Sequence, residues 1–133
     1  MRRVFLSGPI RGLLREQSLS WRIEAVKQLG SDFSVSHALR GREKKETLPD
    51  PRLAVQRDKQ DIRECDIMLV NDTFPNAPSV GTFMEILYAH EREKLVIVFG
   101  DAHTGDYFYD AHIHVRFDTL EQACEFLLEH YRD

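Results

Sequence analysis

The sequence has only two cysteines, Cys65 and Cys124, far apart and outside any metal-ligand spacing. That excludes a disulfide framework and makes a reducing cytosol the expected compartment. Long hydrophobic runs are missing as well: the one that follows the arginines of MRRVFLSGPI stops after about four residues, too short for a signal-peptide core or a membrane span. A soluble, cytoplasmic protein is therefore expected. Basic residues are not in excess, with 18 Lys and Arg against 22 Asp and Glu and a net charge of -4. This argues against a general binder of nucleic-acid polymers, which depends on a basic surface that releases counterions, and leaves small molecules as partners. There is no internal repeat, no low-complexity tract, no G-x-x-x-x-G-K-[ST] phosphate loop and no H-x-x-x-H helix pair. His112 and His114 fall on one face of an expected strand, but no carboxylate converges on them, so no metal site is expected.

What remains is a chain of 133 residues, 42% apolar and 30% charged, long enough to bury one substantial core. A single domain, residues 1–133, is expected. Apolar β-rich runs lie at Arg3 to Ser7, Phe33 to Ser36, Asp66 to Asn71, Lys94 to Phe99 and Ile113 to Phe117. Helical patterns alternate with them at Gln17 to Leu29, Ala54 to Glu64, Val80 to Arg92, Tyr107 to Asp110 and Leu120 to Tyr131. The alternation predicts an α/β fold, a doubly wound five-stranded parallel sheet with helices on both faces, because parallel strands need crossover connections. The third and fourth strands are nearly continuous apolar runs, as strands buried on both faces require. The charged, proline-containing stretch RGREKKETLPDPR, Arg40 to Arg52, reads as a solvated loop.

Ligands of open α/β sheets bind beyond the carboxyl ends of the strands, at the point where the strand order reverses. The strand ends here read SGPIRG, SHALRGRE, NDTFPNAPSVG and GDAHTGDYF, all rich in turn-forming and polar residues. In SGPIRG, Gly8 and Gly12 bracket a turn through Pro9 and Ile10, and Arg11 offers a fork for an oxyanion; the same string also serves as a plain strand-to-helix turn. Ser79 fits an N-cap and Gly81 permits close approach to the first-turn amides, either as an anion cradle or as an ordinary helix start. On a helical wheel Val80, Phe83, Met84 and Leu87 share one face, and Thr82, Glu85 and Ala89 another. Glu85 then needs no burial; it is either solvated or, one to two turns from a helix N-terminus, an ionised carboxylate aimed at a ligand. In RDKQDIRECD, Asp58 and Asp61 lie one turn apart with Ile62 toward the sheet, so one of the two acids is a candidate for the pocket.

Taken together, VFLSGPIR, an aspartate eight residues before the CDIML strand, and SVGTFMEILYAHEREKLVIVFG resemble the nucleoside 2-deoxyribosyltransferase family, most specifically from Asp58 to Gly100. The resemblance implies a flavodoxin-like fold, homo-oligomers whose pockets are completed by a neighbouring subunit, and no metal or organic cofactor. It places Glu85 as the nucleophile that attacks the anomeric carbon, and Asp58, rather than Asp61, as the acid contacting the leaving base. Ser79, where the free-nucleoside transferases commonly have an acid, together with Gly81 and the loop Ser7, Gly8, Pro9, Ile10 and Arg11, is similar to the branch that hydrolyses nucleoside 5′-monophosphates. Arg11 is then the phosphate clamp; Phe5, His37 and Asn71 complete the expected substrate contacts. The neighbouring subunit's residue falls between His103 and His112, with Tyr107 and Tyr109 as candidates. The alternatives are a transferase on free nucleosides and, in a different class, a non-catalytic nucleotide-sensing module.

Overall fold

The computed structural model describes residues 1–40 and 50–133. Most of the loop expected at Arg40 to Arg52 lies outside the described residues. Five strands, β1 (Arg3–Ser7), β2 (Ser34–His37), β3 (Ile67–Asn71), β4 (Leu95–Phe99) and β5 (Val115–Phe117), alternate with five helices. These are α1 (Arg15–Leu29), α2 (Pro51–Glu64), α3 (Val80–Glu91), α4 (Tyr107–Ala111) and α5 (Leu120–His130). The sheet is wholly parallel with order β2-β1-β3-β4-β5. This is the flavodoxin-like order, whose switch point lies between β1 and β3.

Strand alternation divides the core in two. Val4, Leu6, Ile67, Leu69, Ile97 and Phe99 pack against Trp21, Ala25 and Leu29 of α1 and Leu120, Ala123, Cys124 and Leu127 of α5. On the opposite face Phe5, Met68, Val70, Val96 and Val98 meet Ile62 of α2, Ile86 and Ala89 of α3 and Tyr109 of α4. Cys65 and Cys124 are buried free thiols within these layers, and burial raises them to about 11 and about 12. Among the described residues no helix is long and apolar enough to cross a membrane.

Several expectations are corrected. Helix α2 begins at Pro51, not Ala54, because the Asp50 carboxylate accepts the Arg52 N–H and proline at the first helical position gives up no bond. Helix α1 begins at Arg15, where Gln17 Oε1 accepts the Leu14 N–H at 2.9 Å. His112 caps α4 and His114 precedes β5, so neither lies on the strand expected to carry both. Their rings gather with His90, at 4.9 and 5.6 Å, and no group of three metal-ligating side chains occurs among the described residues.

Helix α3 is turned the other way from what its apolar pattern suggests. Thr82, Ile86 and Ala89 face the sheet, while Val80, at 69% exposure, and Met84, at 66%, point outward with Phe83 and Leu87. Glu85, one residue before Ile86 on the helix, is carried to the edge of the inward face and is partly buried.

Candidate active site

At the carboxyl ends of β1 and β3 the switch point opens into a cleft of about 480 Å³. Its walls come from four elements and three loops, and they bring together Phe5, Gly8, Pro9, Ile10, Arg11, Asp58, Gly81 and Glu85. The β1–α1 turn reaches the segment before α3, because Gly12 has φ +83° and a Cβ there would lie 2.8 Å from Pro78 Cδ. Only glycine accepts both the left-handed backbone and that approach.

Glu85 sits where two periodicities meet. Residues two apart on a strand share a face, so Ser7 follows Phe5 onto the side covered by α3. Ser7 Oγ donates to Glu85 Oε1 at 2.7 Å. The carboxyl group is raised from 4.5 to about 7, foremost by burial, with the Asp58 charge adding to the rise while the Ser7 hydrogen bond and the Arg22 charge oppose it. In place of the solvated or ionised carboxylate expected, the group is close to half-protonated at neutral pH, since desolvation outweighs its donors.

The two acids of α2 separate cleanly. Asp61 receives a bidentate fork from Arg40, Nη2 at 2.9 Å from Oδ1 and Nη1 against Oδ2, tying the chain beyond β2 to the helix. Asp58, one turn earlier, lines the cleft with Glu85.

Three other expected contacts are not among the residues that line the cleft. Asn71 Oδ1 accepts the Thr73 N–H at 2.9 Å and its hydroxyl at 2.6 Å, shaping the turn after β3. His37 is buried at the end of β2 and its Nδ1 accepts the Leu39 N–H at 3.1 Å; its neighbour Ala38 reaches the cleft wall instead. Ser79 stands at the N-cap position of α3 without a side-chain cap, its hydroxyl donating to Ala77 O at 3.0 Å. The cleft therefore meets the first-turn amides of α3, which have no partners within the helix. Gly81 leaves that approach open, for a Cβ there would meet no atom within 4 Å.

Sequence reasoning missed Arg22, which lines the cleft although it is buried. It also missed Asp72, just past β3, whose buried carboxylate accepts Arg116 Nη1 at 2.8 Å and the His103 N–H at 3.0 Å. That cluster fixes the loop after β4 and buries Tyr109 beside Phe83 and His103. Of the two tyrosines considered for a neighbouring pocket, only Tyr107 is exposed.

No protein-family model matches the chain, and no curated protein matches it by sequence. Solved structures do. A 2-deoxyribosyltransferase from Bacillus psychrosaccharolyticus aligns with TM-score 0.72 at 15% identity, over 91% of this chain and 89% of that one. The CMP N-glycosidase of Clostridium botulinum aligns with TM-score 0.67 at 18% identity, over 96% and 98%. A 2-deoxyribosyltransferase from Leishmania mexicana aligns with TM-score 0.70 at 15% identity, over 98% and 99%. Over nearly its whole length, then, the chain has the fold of solved deoxyribosyltransferases and of an N-glycosidase.

Proposed function

We propose that the chain cleaves the N-glycosidic bond of a nucleoside 5′-monophosphate through a covalent glycosyl-Glu85 intermediate. The observation that carries this reading is the Ser7–Glu85 pair at 2.7 Å, which aims a partly desolvated carboxylate along a cleft shared with Asp58. In its ionised form Glu85 attacks the anomeric carbon as the carbon–nitrogen bond breaks and the bonding electron pair leaves with the base. Asp58 supplies the leaving nitrogen with a hydrogen bond or proton. Water, or a second base, then attacks the same carbon from the vacated side and frees Glu85, so two displacements give net retention. The negative carboxylate matches the oxocarbenium character of each transition state. In this reading Arg11 and the first-turn amides of α3 take the phosphate. The Ser79 hydroxyl is not assigned to it, since its proton is directed to Ala77 O. The fold shared with transferases and an N-glycosidase supports the reaction class.

The test is a chromatographic panel: deoxynucleosides and their 5′-monophosphates, with and without a second free base. Base release from monophosphates, with a sugar adduct on the peptide containing Glu85 in quenched mixtures, is the expected result. Binding without release over hours would overturn the reading in favour of a sensing module. Exchange only with free nucleosides would favour the transferase alternative.

A homo-oligomer belongs to the same proposal. Val80, Phe83, Met84 and Leu87 on α3 and Tyr107 and Phe108 on α4 are exposed. Phe83, Met84, Leu87 and Phe108 also line a second hollow of about 510 Å³. Contiguous apolar surface of this kind is normally covered by a partner, and Val80 belongs to the cleft as well. Met84→Asp is expected to convert a sedimenting dimer to monomer while leaving thermal unfolding of the monomer intact; a parent chain that is already monomeric at micromolar concentration would contradict this.

A further inference from the structure

One cation in the cleft has no part in the reaction as drawn above. Arg22 lies on the inward stripe of α1 that runs Ser18, Arg22, Ala25, Leu29, and it is only 1% exposed. A buried guanidinium is strongly unfavourable unless its charge and its donors are answered. Its donors are answered in part: Nη1 donates to Ser18 O one turn back and Nη2 to Gly8 O at 2.9 Å. Its plane is supported by Trp21, with 4.6 Å from the guanidinium carbon to the ring centroid. Its Nε has no hydrogen-bond partner among the described residues. The same Trp21 closes on Gly8, where a Cβ would lie 3.0 Å from Cζ2. The glycine turn is thus held by Arg22 through its carbonyl and by Trp21 through van der Waals contact. No carboxylate touches the guanidinium among the described residues, yet Arg22, Asp58 and Glu85 line one cleft.

We propose that Arg22 is a positioning residue of this cleft: a single buried guanidinium fixes the Gly8–Arg11 turn through the Gly8 carbonyl and serves as shared counter-charge to the Glu85 and Asp58 carboxylates. Burial pulls Arg22 down to about 10 while Glu85 and Asp58 push it back up, so it remains a cation at neutral pH. Among the described residues the groups facing Glu85 are Ser7 from β1, Asp58 from α2 and Arg22 from α1, with Arg11 on the turn as the other charged group of the lining. Of these, Arg22 is the one cation that is enclosed, where screening by solvent is weakest. The nucleophile and the phosphate-side turn then depend on one side chain from a helix that offers no other group to the cleft.

The effect on turnover rests on the proposed glycosidase reading, but the charge coupling is measurable in the resting protein. A carbon-13 NMR titration of the Glu85 carboxyl, assigned by its loss in Glu85→Gln, is run on the parent, Arg22→Met and Arg22→Lys. In Arg22→Met the Glu85 midpoint is expected to rise by about one pH unit, and in Arg22→Lys to stay within about 0.3 unit of the parent. Base release by Arg22→Met at saturating substrate is expected to fall about fivefold at pH 7 and to recover toward the parental rate by pH 9, a profile that a merely structural defect does not produce. Arg22→Lys, which keeps the charge and loses the planar guanidinium that donates to Gly8 O and Ser18 O at once, is expected to raise KM with kcat little changed. An unmoved Glu85 midpoint in folded Arg22→Met, or a loss of rate equal at every pH, overturns the proposal. Should Arg22→Met not fold, Arg22→Lys decides: a parental midpoint with raised KM supports it, and a midpoint displaced upward overturns it. If the parent releases no base, the glycosidase reading fails and the titration alone judges the role of Arg22.

Discussion

Glu85→Gln is expected to abolish base release, by at least about a thousandfold, and at the same time to make the protein more stable above neutral pH. The first follows from removing the proposed nucleophile, and the second from the carboxyl ionising at about 7 in the folded chain against 4.5 in an ordinary environment. Because the folded value is the higher one, the folded state holds its proton more tightly than the unfolded chain. Between pH 4.5 and about 7 the unfolded chain gains free energy by ionising while the folded chain does not, so the Glu85 contribution to stability falls as pH rises through that window. Above it the penalty is constant. The full shift would correspond to about 3 kcal/mol, and the solvent still reaching Glu85 reduces that to on the order of 1–2 kcal/mol. Glutamine carries no charge, and its carbonyl still accepts the Ser7 hydroxyl. The variant should therefore unfold roughly 3–8 °C above the parent at pH 8, and the gap should close by pH 4.5. Paired thermal scans across pH decide the point: a variant less stable at pH 8, or a gap that widens on acidification, would mean that the carboxyl is not desolvated. The parent's kcat/KM should rise with pH through about 7 as the attacking form of Glu85 accumulates.

How much of this was legible in the sequence depends on whether a residue follows the periodicity of its element. Strands β3 and β4, buried on both faces, announce themselves as unbroken apolar runs, and the alternation with helices predicts parallel pairing, whereas the order β2-β1-β3-β4-β5 is implied only by the family resemblance. Helix α3 misleads because its apolar face is the exposed one. A wheel reports which residues cluster, not which cluster meets the sheet, and here the sheet takes the stripe of Thr82, Ile86 and Ala89. The motif singles out Glu85 but not its surroundings, since the Ser7 hydroxyl that meets it lies 78 residues away in sequence. Asn71, His37 and Ser79 lie at the strand and helix ends where ligand contacts are expected, yet short polar side chains at such places also close their own turns. Arg22 carried a readable signal, its spacing with Ser18, Ala25 and Leu29 on an inward stripe, but arginine is so rarely buried that the spacing alone does not suggest it. The Arg40–Asp61 fork, joining residues distant in sequence, is what leaves Asp58 as the cleft acid.

Arg11→Ala is expected to separate phosphorylated from unphosphorylated substrates. Arg11 is exposed at the cleft rim and makes no salt bridge among the described residues, so its removal disturbs no internal contact. Stability should change by no more than about 0.5 kcal/mol, as for other surface substitutions of this kind. A charge-assisted hydrogen bond to a phosphate is worth about 1.5–3 kcal/mol, which corresponds to a loss of roughly 10- to 100-fold in kcat/KM for a 5′-monophosphate. The matching free nucleoside, which offers no anion, should lose less than about twofold. Arg11→Lys should recover part of the loss through charge and not the remainder, because an ammonium lacks the planar fork that engages two phosphate oxygens at once. The residual preference of Arg11→Ala for the monophosphate then measures the α3 amides, whose dipole and N–H groups are untouched by the substitution. The measurement is kcat/KM for the substrate pair on parent and variants, repeated at low and high salt, since an exposed clamp weakens with screening. Equal losses on both substrates would place Arg11 in the shape of the turn instead, and the phosphate would have to be held by the α3 amides without it.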